Sequence, residues 1–361
     1  MQLDEAVISH LPLGCEVISV NPKGLSENCD TTEIEIRLED GSIERYFEKS
    51  STGQHGFELM RAHYESETSL YRFIPENLPP PIALIQYKSD PDRHSFLMKF
   101  VDMVDDELPD PAPFMETIAT LHRKSAGKSP TGRFGFSVDT KFAHLATPNF
   151  WDDSWESWWT RHMKMVLERE LQERGTRTQE EDDLVDFYLT KAIPRYIRPL
   201  ESDGRSIQPT LLHTDLWPGN VKFKPDYETV CIFDANAMWG HNEMELGLVA
   251  NPRYPLGKAY IEEYRKRILP SAPEQDADSR VIMYMIRHQA CLASVYPDDV
   301  KLREIWIENV RILLEQYLLE ERIKANTEAI KANQSIQTMD QDSNSSPVVL
   351  VTTPGALATQ I

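Results

Sequence analysis

The sequence is short of the features that would send a protein out of the cell or onto a polyanion. Its 361 residues include only four cysteines, Cys15, Cys29, Cys231 and Cys291, widely scattered, with no Cys-x-x-Cys pair and no histidine spacing suggestive of zinc. They read as free thiols in a reducing compartment. No apolar stretch approaches the roughly 18 residues that a membrane span requires. The first twenty residues carry Asp4, Glu5, His10 and Glu16 among the apolar ones and lack a basic start, so no secretory signal is visible. Positive charge is scarce, with 38 Lys and Arg against 58 Asp and Glu, and the net charge of −20 would repel nucleic acid and anionic membranes alike. The expected setting is therefore cytoplasmic, with neither nucleic acid nor membrane as partner. Acidity of this kind suits a cationic substrate, although solubility accounts for it equally well.

The length and the apolar share of 40% allow a two-lobed enzyme with a large core. The informative stretch is residues 211–221, Leu-Leu-His-Thr-Asp-Leu-Trp-Pro-Gly-Asn-Val, with its echo Cys-Ile-Phe-Asp-Ala-Asn at residues 231–236. Asp215 and Asn220 lie five residues apart in a turn-rich segment framed by apolar runs, and Asp234 ends another apolar run fourteen residues later. That layout suits phosphoryl transfer, which asks little covalent chemistry of a protein. It needs one carboxylate to orient an attacking hydroxyl and accept its proton, and oxygen ligands to hold magnesium on the phosphates.

The segment resembles the His-Gly-Asp-x-x-x-x-Asn catalytic loop of the aminoglycoside and choline kinase branch of the protein-kinase-like fold. It is most similar to the fructosamine and ketosamine kinases, whose loop reads His-Gly-Asp-Leu-Trp-x-Gly-Asn and is followed by Phe-Asp-Pro-Ala and Tyr-Gly-His-x-Glu. Here Leu216, Trp217, Gly219, Phe233, Trp239, Gly240, His241 and Glu243 carry the likeness beyond the polar residues. Two positions depart from the pattern. Thr214 replaces a glycine, and Asn236 follows Asp234-Ala235 where the family often has Pro-Ala. A β-branched residue does not easily take positive φ, so the turn at Thr214 is expected to be built differently.

The resemblance implies an α+β, bilobal protein-kinase-like fold, with a small β-rich lobe at residues 1–104 and a mostly helical lobe at 105–322. It makes Asp215 the base candidate, Asn220 and Asp234 the magnesium ligands, and Lys49 the clamp on the phosphates of ATP. Trp217 falls on the sugar side of the cleft, with a hydrophobic plug under the loop as the competing reading. His213 is expected to bond backbone in the loop, and His241 and Glu243 to support the segment after Asp234, a substrate-amine contact by Glu243 being a lesser alternative. The implied reaction is ATP-dependent phosphorylation of the 3-hydroxyl of a ketosamine, ribulosamine or fructosamine, formed on lysine by glycation of a protein or small molecule. The product decomposes and frees the amine, which amounts to protein deglycation. Another small-molecule kinase of the superfamily, or a pseudokinase acting as a binding module, stays open, as does the oligomeric state.

The amino-terminal third supplies the rest of the nucleotide site. Residues 33–38 alternate apolar and charged, Glu-Asp-Gly-Ser turns, and residues 43–47 alternate again, which is a hairpin leading into Lys49. Alternation turns the neighbouring Glu48 to the opposite face. Residues 57–73 read as a helix carrying Glu67, which is expected to pair with Lys49 and orient it; Glu65, two residues away, points elsewhere. The stretch from Asn21 to Thr32 holds a single glycine, Gly24, and is no Gly-rich phosphate cradle, although Ser26, Asn28 and Thr31 offer donors. Strands follow at 82–87 and 95–101. Phe100, Val101, Asp102 and Met103, within a hinge reaching Asp106, are the adenine-binding candidates that the resemblance supplies.

Helical spacing recurs at 114–124, 181–198, 259–269, 280–293 and 302–321. In residues 155–159 it places Trp155, Trp158 and Trp159 on one face, as core rather than as a sugar platform. Residues 323–361 read as a disordered tail, with Val348 to Val351 as its one apolar run.

Overall fold

The computed structural model describes residues 3–25, 29–105, 107–143 and 145–343. Residues 1–314 form one compact unit and residues 315–361 a second. Helix α1 (Glu5–Ile8) precedes strands β1 (Glu16–Leu25), β2 (Asp30–Arg37) and β3 (Ile43–Thr52). Helix α2 (Gly53–Tyr71), β4 (Pro81–Gln86) and β5 (Arg93–Lys99) complete an antiparallel five-stranded sheet in the order β1-β2-β3-β5-β4. The expected hairpin is β2–β3, and Gly41 takes its turn at φ 85°.

The strict two-residue period of these strands divides the lobe. Ile34, Ile36, Tyr46 and Leu97 bury one face against Ala6 and Val7 of α1. Phe96 and Met98 bury the other against Leu59 and Met60 of α2, with Phe47 at its edge. Lys49 shares the face of Phe47, towards α2, while buried Glu48 accepts a hydrogen bond from Tyr87 Oη at 2.8 Å on the opposite side. The acid beside the lysine is thereby kept out of its way, as the alternation predicts.

The remainder is mostly helical. In chain order it holds α3 (Pro111–Ser125), the ladder β6 (Thr140–Phe142) and β7 (Leu145–Thr147), α4 (Trp155–Arg174), α5 (Gln179–Phe187) and α6 (Ile193–Tyr196). Two short ladders follow: β8 (Thr210–Leu212) pairs with β11 (Met238–Gly240), and between them β9 (Val221–Phe223) pairs with β10 (Val230–Ile232). Helices α7 (Glu245–Val249), α8 (Lys258–Arg265), α9 (Ala277–Val295) and α10 (Lys301–Ser343) end the described chain.

Trp155, Trp158 and Trp159 of α4 are fully buried, the first two rings stacked with centroids 5.1 Å apart, and Trp155 Nε1 donates to Tyr284 Oη of α9 at 2.9 Å. The aromatic stripe is core.

Two expectations are corrected. The single helix read over 181–198 is interrupted between α5 and α6 by a wider turn, Tyr188–Ala192, because Pro194 has no N–H to continue the ladder. Helix α10 does not stop near residue 321 but runs to Ser343, so the described part of the expected tail is helical. Ala, Lys, Gln and Glu make up nine of the 22 residues from 322 to 343, and their intrinsic preference favours a helix that has no continuous apolar stripe. Residues 344–361, with the Val348 to Val351 run, lie outside the described residues. Among the described residues no helix is long and apolar enough to cross a membrane.

Candidate active site

The loop between β8 and β9 is held from beneath by one carboxylate. Glu245, the first residue of α7, accepts from His213 N at 2.7 Å and from Thr214 N at 2.8 Å. His213, fully buried, spans to Phe233 O through Nε2 at 3.0 Å, and its Nδ1 receives the backbone N–H of Asp215 at 3.3 Å. Burial lowers its basicity, so the ring is neutral, as one donor and one acceptor nitrogen require. It is structural, as expected from the sequence.

Thr214 adopts φ 65° after all, in the place where the family has glycine. Its hydroxyl donates to Asn236 O at 2.7 Å, and Asn236 N returns to His213 O at 3.0 Å. The turn is therefore not rebuilt; side-chain and backbone bonds offset the roughly 1–2 kcal/mol that a Cβ costs in the left-handed region. Thr214→Gly removes both the strain and the hydroxyl bond. It is expected to shift stability by less than about 1 kcal/mol, because the two terms oppose one another. A melting temperature several degrees above that of the wild type would show the hydroxyl bond to be idle.

Asp215, partly buried, stands at the end of this turn. Asn220, on the one-turn 3₁₀ helix Pro218–Asn220, donates from Nδ2 to Asp215 O at 2.9 Å and to Asp215 Oδ2 at 3.1 Å. Burial, then the nearby charge of Asp234, pushes the Asp215 carboxyl up to about 7. Asp234, itself at φ 59°, turns its carboxylate onto Lys49 Nζ in an ion pair. Burial acts against ionisation of both partners, yet the pairing outweighs it, holding Asp234 low and Lys49 high.

The expected Lys49–Glu67 pair is not what forms. Glu67 Oε1 accepts from Ala235 N at 3.0 Å, while its Oε2 is buried with no partner. Burial pushes this carboxyl up to about 7. The left-handed backbone of Asp234 brings that carboxylate to Lys49, and Glu67 instead holds the peptide that follows Asp234.

These residues surround one cleft of about 770 Å3. Lys49, Glu67, Asp215, Trp217, Asn220 and Asp234 all line it, and so does the hinge segment Phe100, Val101, Asp102 and Met103. The hinge is pinned at both ends, Phe100 N on Arg45 O at 3.0 Å and Val104 N on Phe223 O at 2.8 Å. Asp102 is engaged by Arg45. Of the donors named in the Gly-poor loop, Thr31 lines the cleft; Ser26 and Asn28, like Asp106 at the end of the hinge, lie outside the described residues.

Trp217 is no plug. It is 42% exposed, its ring 6.4 Å from that of Tyr254 and lying over Gly219 so closely that a Cβ there would come within 2.1 Å of the indole. Glycine at 219 thus gives the ring its seat. Glu243 and His241 stand away from the cleft. Glu243 is buried in an ion pair with Arg280 at 2.7 Å and accepts from Ser271 N at 2.6 Å, which removes the geometric basis for a substrate-amine contact. His241 bonds Tyr284 Oη at 2.8 Å and Ser271 Oγ at 2.9 Å.

Glu245 is the residue that sequence reasoning missed. Its signal was faint, an acid inside the otherwise apolar run Met-Glu-Leu-Gly-Leu-Val, too short for periodicity to decide its face.

Among the described residues no group of three or more His, Cys, Asp or Glu is placed to hold a metal, which excludes a zinc-type cage there. Magnesium asks for less: one or two side-chain oxygens, the rest coming from water and phosphate. Asp234 and Asn220, facing one cleft, fit that requirement.

The chain is similar to known proteins in sequence and in fold. The sequence pattern of the family described as "Fructosamine kinase" matches residues 27–299. Rice protein-ribulosamine 3-kinase (Oryza sativa subsp. indica) is 28% identical over 181 residues, 50% of this chain and 49% of that protein. Mouse ketosamine-3-kinase is 29% identical over 165 residues, 46% of this chain and 49% of that one. The chain therefore spans about half the length of these curated relatives. Among solved structures, a candidate fructosamine-3-kinase from Thermobifida fusca superposes with a TM-score of 0.64 at 21% identity, over 86% of this chain and 98% of that one. An aminoglycoside phosphotransferase, APH(4)-Ia, in ternary complex with AMP-PNP and hygromycin B gives 0.54 at 13% identity, over 86% and 98%. These two likenesses establish the protein-kinase-like fold. With the family pattern covering most of its length, the chain belongs to the fructosamine kinase family.

Proposed function

We propose that the protein is an ATP-dependent kinase that phosphorylates the 3-hydroxyl of ketosamines carried on lysine, ribulosamine or fructosamine, and so acts in protein deglycation. The observation that carries this reading is the meeting of Asp215, Asn220, Asp234 and Lys49 in one cleft. Residues 1–104 form the nucleotide lobe and 105–322 the catalytic lobe, with adenine at Phe100 to Met103. Lys49 binds the phosphates of ATP, and Glu67 holds Asp234 in place through Ala235 N. Asp234 and Asn220 would hold magnesium, which would supply neutralisation of charge on the phosphates. Asp215 orients the acceptor hydroxyl and takes its proton as the oxygen bonds to the terminal phosphorus and the bond to ADP breaks. A carboxyl pushed up to about 7 is suited to that task near neutral pH. The wide scatter of the four cysteines, with no Cys-x-x-Cys pair, supports a reducing, cytoplasmic setting.

The pseudokinase alternative rested on Thr214, Glu48 and the Gly-poor loop. Thr214 keeps the turn, and Glu48 faces away from Lys49. A generic small-molecule kinase is the remaining rival, and the acceptor decides between them. A ketosamine offers a sugar beside a cationic amine, while Trp217 offers a flat apolar face near Asp215. ATP consumption with ribulosyl- or fructosyl-lysine is expected to exceed that with kanamycin or choline by at least about tenfold in kcat/KM, roughly 1.4 kcal/mol of transition-state binding. Trp217→Ala should erase most of that preference and leave the basal ATPase unchanged. Equal rates on kanamycin and ribulosyl-lysine would overturn the ketosamine assignment.

A further inference from the structure

The cleft has a cation for which neither the sequence pattern nor the reaction scheme above accounts. Lys141 lies in β6, whose neighbouring residues point to opposite sides. Phe142 packs into the helical lobe, its ring centroid 5.3 Å from that of His288 on α9. Lys141 accordingly faces the other way, onto the first turns of α2, and lines the cleft. Five cationic side chains line this cleft, and four meet a carboxylate closely: Lys49 with Asp234, Arg45 with Asp102, Lys99 with Glu44 at 2.5 Å, and Lys23 with Glu33 at 2.7 Å. Lys141 does not. Its Nζ is 3.4 Å from His55 Nδ1 and 3.5 Å from Glu58 Oε2, a carboxylate that is half exposed, although Lys141 itself is only 7% exposed.

A charge withdrawn from water with so little compensation is costly unless a strong anion completes its surroundings. Residues 21–32, which run from the end of β1 into the start of β2, hold one glycine and so lack the glycines of a phosphate cradle. We propose that Lys141 is a second phosphate-binding cation of the cleft, reaching from the helical lobe to the terminal phosphate of a nucleoside triphosphate. It takes over charge neutralisation that a Gly-rich loop would otherwise provide. The proposal rests on the kinase reading above and names a residue outside the catalytic-loop pattern.

The test is equilibrium binding of ATP and of ADP, each with magnesium, to the full chain by calorimetry. Lys141→Met should weaken ATP by about tenfold, the loss of one charge-assisted hydrogen bond, and change ADP by less than about twofold. Lys141→Arg should restore most of the ATP affinity, and it stands in should the Met variant fold poorly, since a folded Arg variant that no longer distinguishes ATP from ADP would also count against the idea. Glu58→Gln should leave both affinities at or above the wild-type values. Equal weakening of ATP and ADP in Lys141→Met, or an effect confined to acceptor KM, would overturn the assignment while leaving the kinase reading in place. Wild-type protein that binds neither nucleotide would instead remove the kinase reading, and this proposal with it.

Discussion

Asp215→Asn is expected to lower kcat by about 10²- to 10⁴-fold while ATP binds nearly as it does to the wild type, because the lost carboxylate acts on the acceptor hydroxyl rather than on the nucleotide. Single-turnover kinetics with ribulosyl-lysine and calorimetric ATP titration separate the two, and wild-type turnover in the variant would remove Asp215 from the mechanism. The pH dependence follows from the same environment. Burial and the Asp234 charge push the Asp215 carboxyl up to about 7, and a base must be ionised to act. The kcat/KM of the wild type should therefore rise as pH passes upward through about 7, with that rise absent from the residual rate of the variant.

Stability runs the opposite way. A carboxyl whose folded pKa lies above its unfolded value of 3.8 contributes fully below that value, and its contribution is lost as pH rises through about 7. Asn, which never ionises, escapes the loss. The variant should match the wild type in melting temperature near pH 4 and exceed it at pH 8, so that activity and stability part company at this one side chain.

Much of this site was legible in the linear sequence because its chemistry is local. Asp215, Trp217, Gly219 and Asn220 occupy one turn, and Asp234 closes the strand that pairs back onto it, so spacing together with the family resemblance grouped them. Lys49 was legible from its place at the end of the hairpin, where the resemblance puts a nucleotide lysine, and strand alternation placed Glu48 on the far face. What spacing cannot give is distance between elements. Glu67 and Asp234 are both acids on the cleft side of Lys49, and the choice between them falls to the left-handed backbone of Asp234, a conformation that aspartate enters more readily than Phe233 or Ala235 but that residue spacing does not announce. Thr214 was misjudged for a related reason. Its intrinsic preference argues against positive φ, but the bond that overrides that preference comes from Asn236, twenty-two residues away. Pro194 was a visible break signal within residues 181–198 that apolar spacing overrode. The extension of α10 was hidden for the opposite reason, since helix-forming residues without an apolar stripe leave no periodicity to read.

Glu245→Gln tests the least legible of these contacts. The carboxylate is 1% exposed and accepts two consecutive backbone N–H groups, those of His213 and Thr214, with His122 Nε2 3.7 Å away. Burial opposes its ionisation, but His122 and those donors outweigh it and keep the carboxyl low. Glutamine has the same shape yet only one acceptor atom, so one of the two N–H groups would face an NH2 group. A buried donor left unmatched costs about 1–3 kcal/mol, which in a chain of this size is a fall of several degrees in melting temperature. Alanine would orphan both donors and open a cavity as well, for about 3–6 kcal/mol. The catalytic consequence should be larger than the loss of stability suggests. Thr214 stays in the left-handed region because its N–H and hydroxyl are both engaged, and Asp215 is the next residue along. Releasing one of those bonds lets the turn relax towards ordinary backbone and carries the Asp215 carboxylate with it, and a displacement of about 1 Å costs on the order of 10²-fold in rate. ATP affinity should hardly change, since Lys49, Asp234 and the hinge have no bond to Glu245. Measured well below the melting temperature, Glu245→Gln is thus expected to combine near-wild-type ATP binding with a kcat about a hundredfold lower. A variant that turns over at the wild-type rate would show that the loop holds its shape without the carboxylate beneath it.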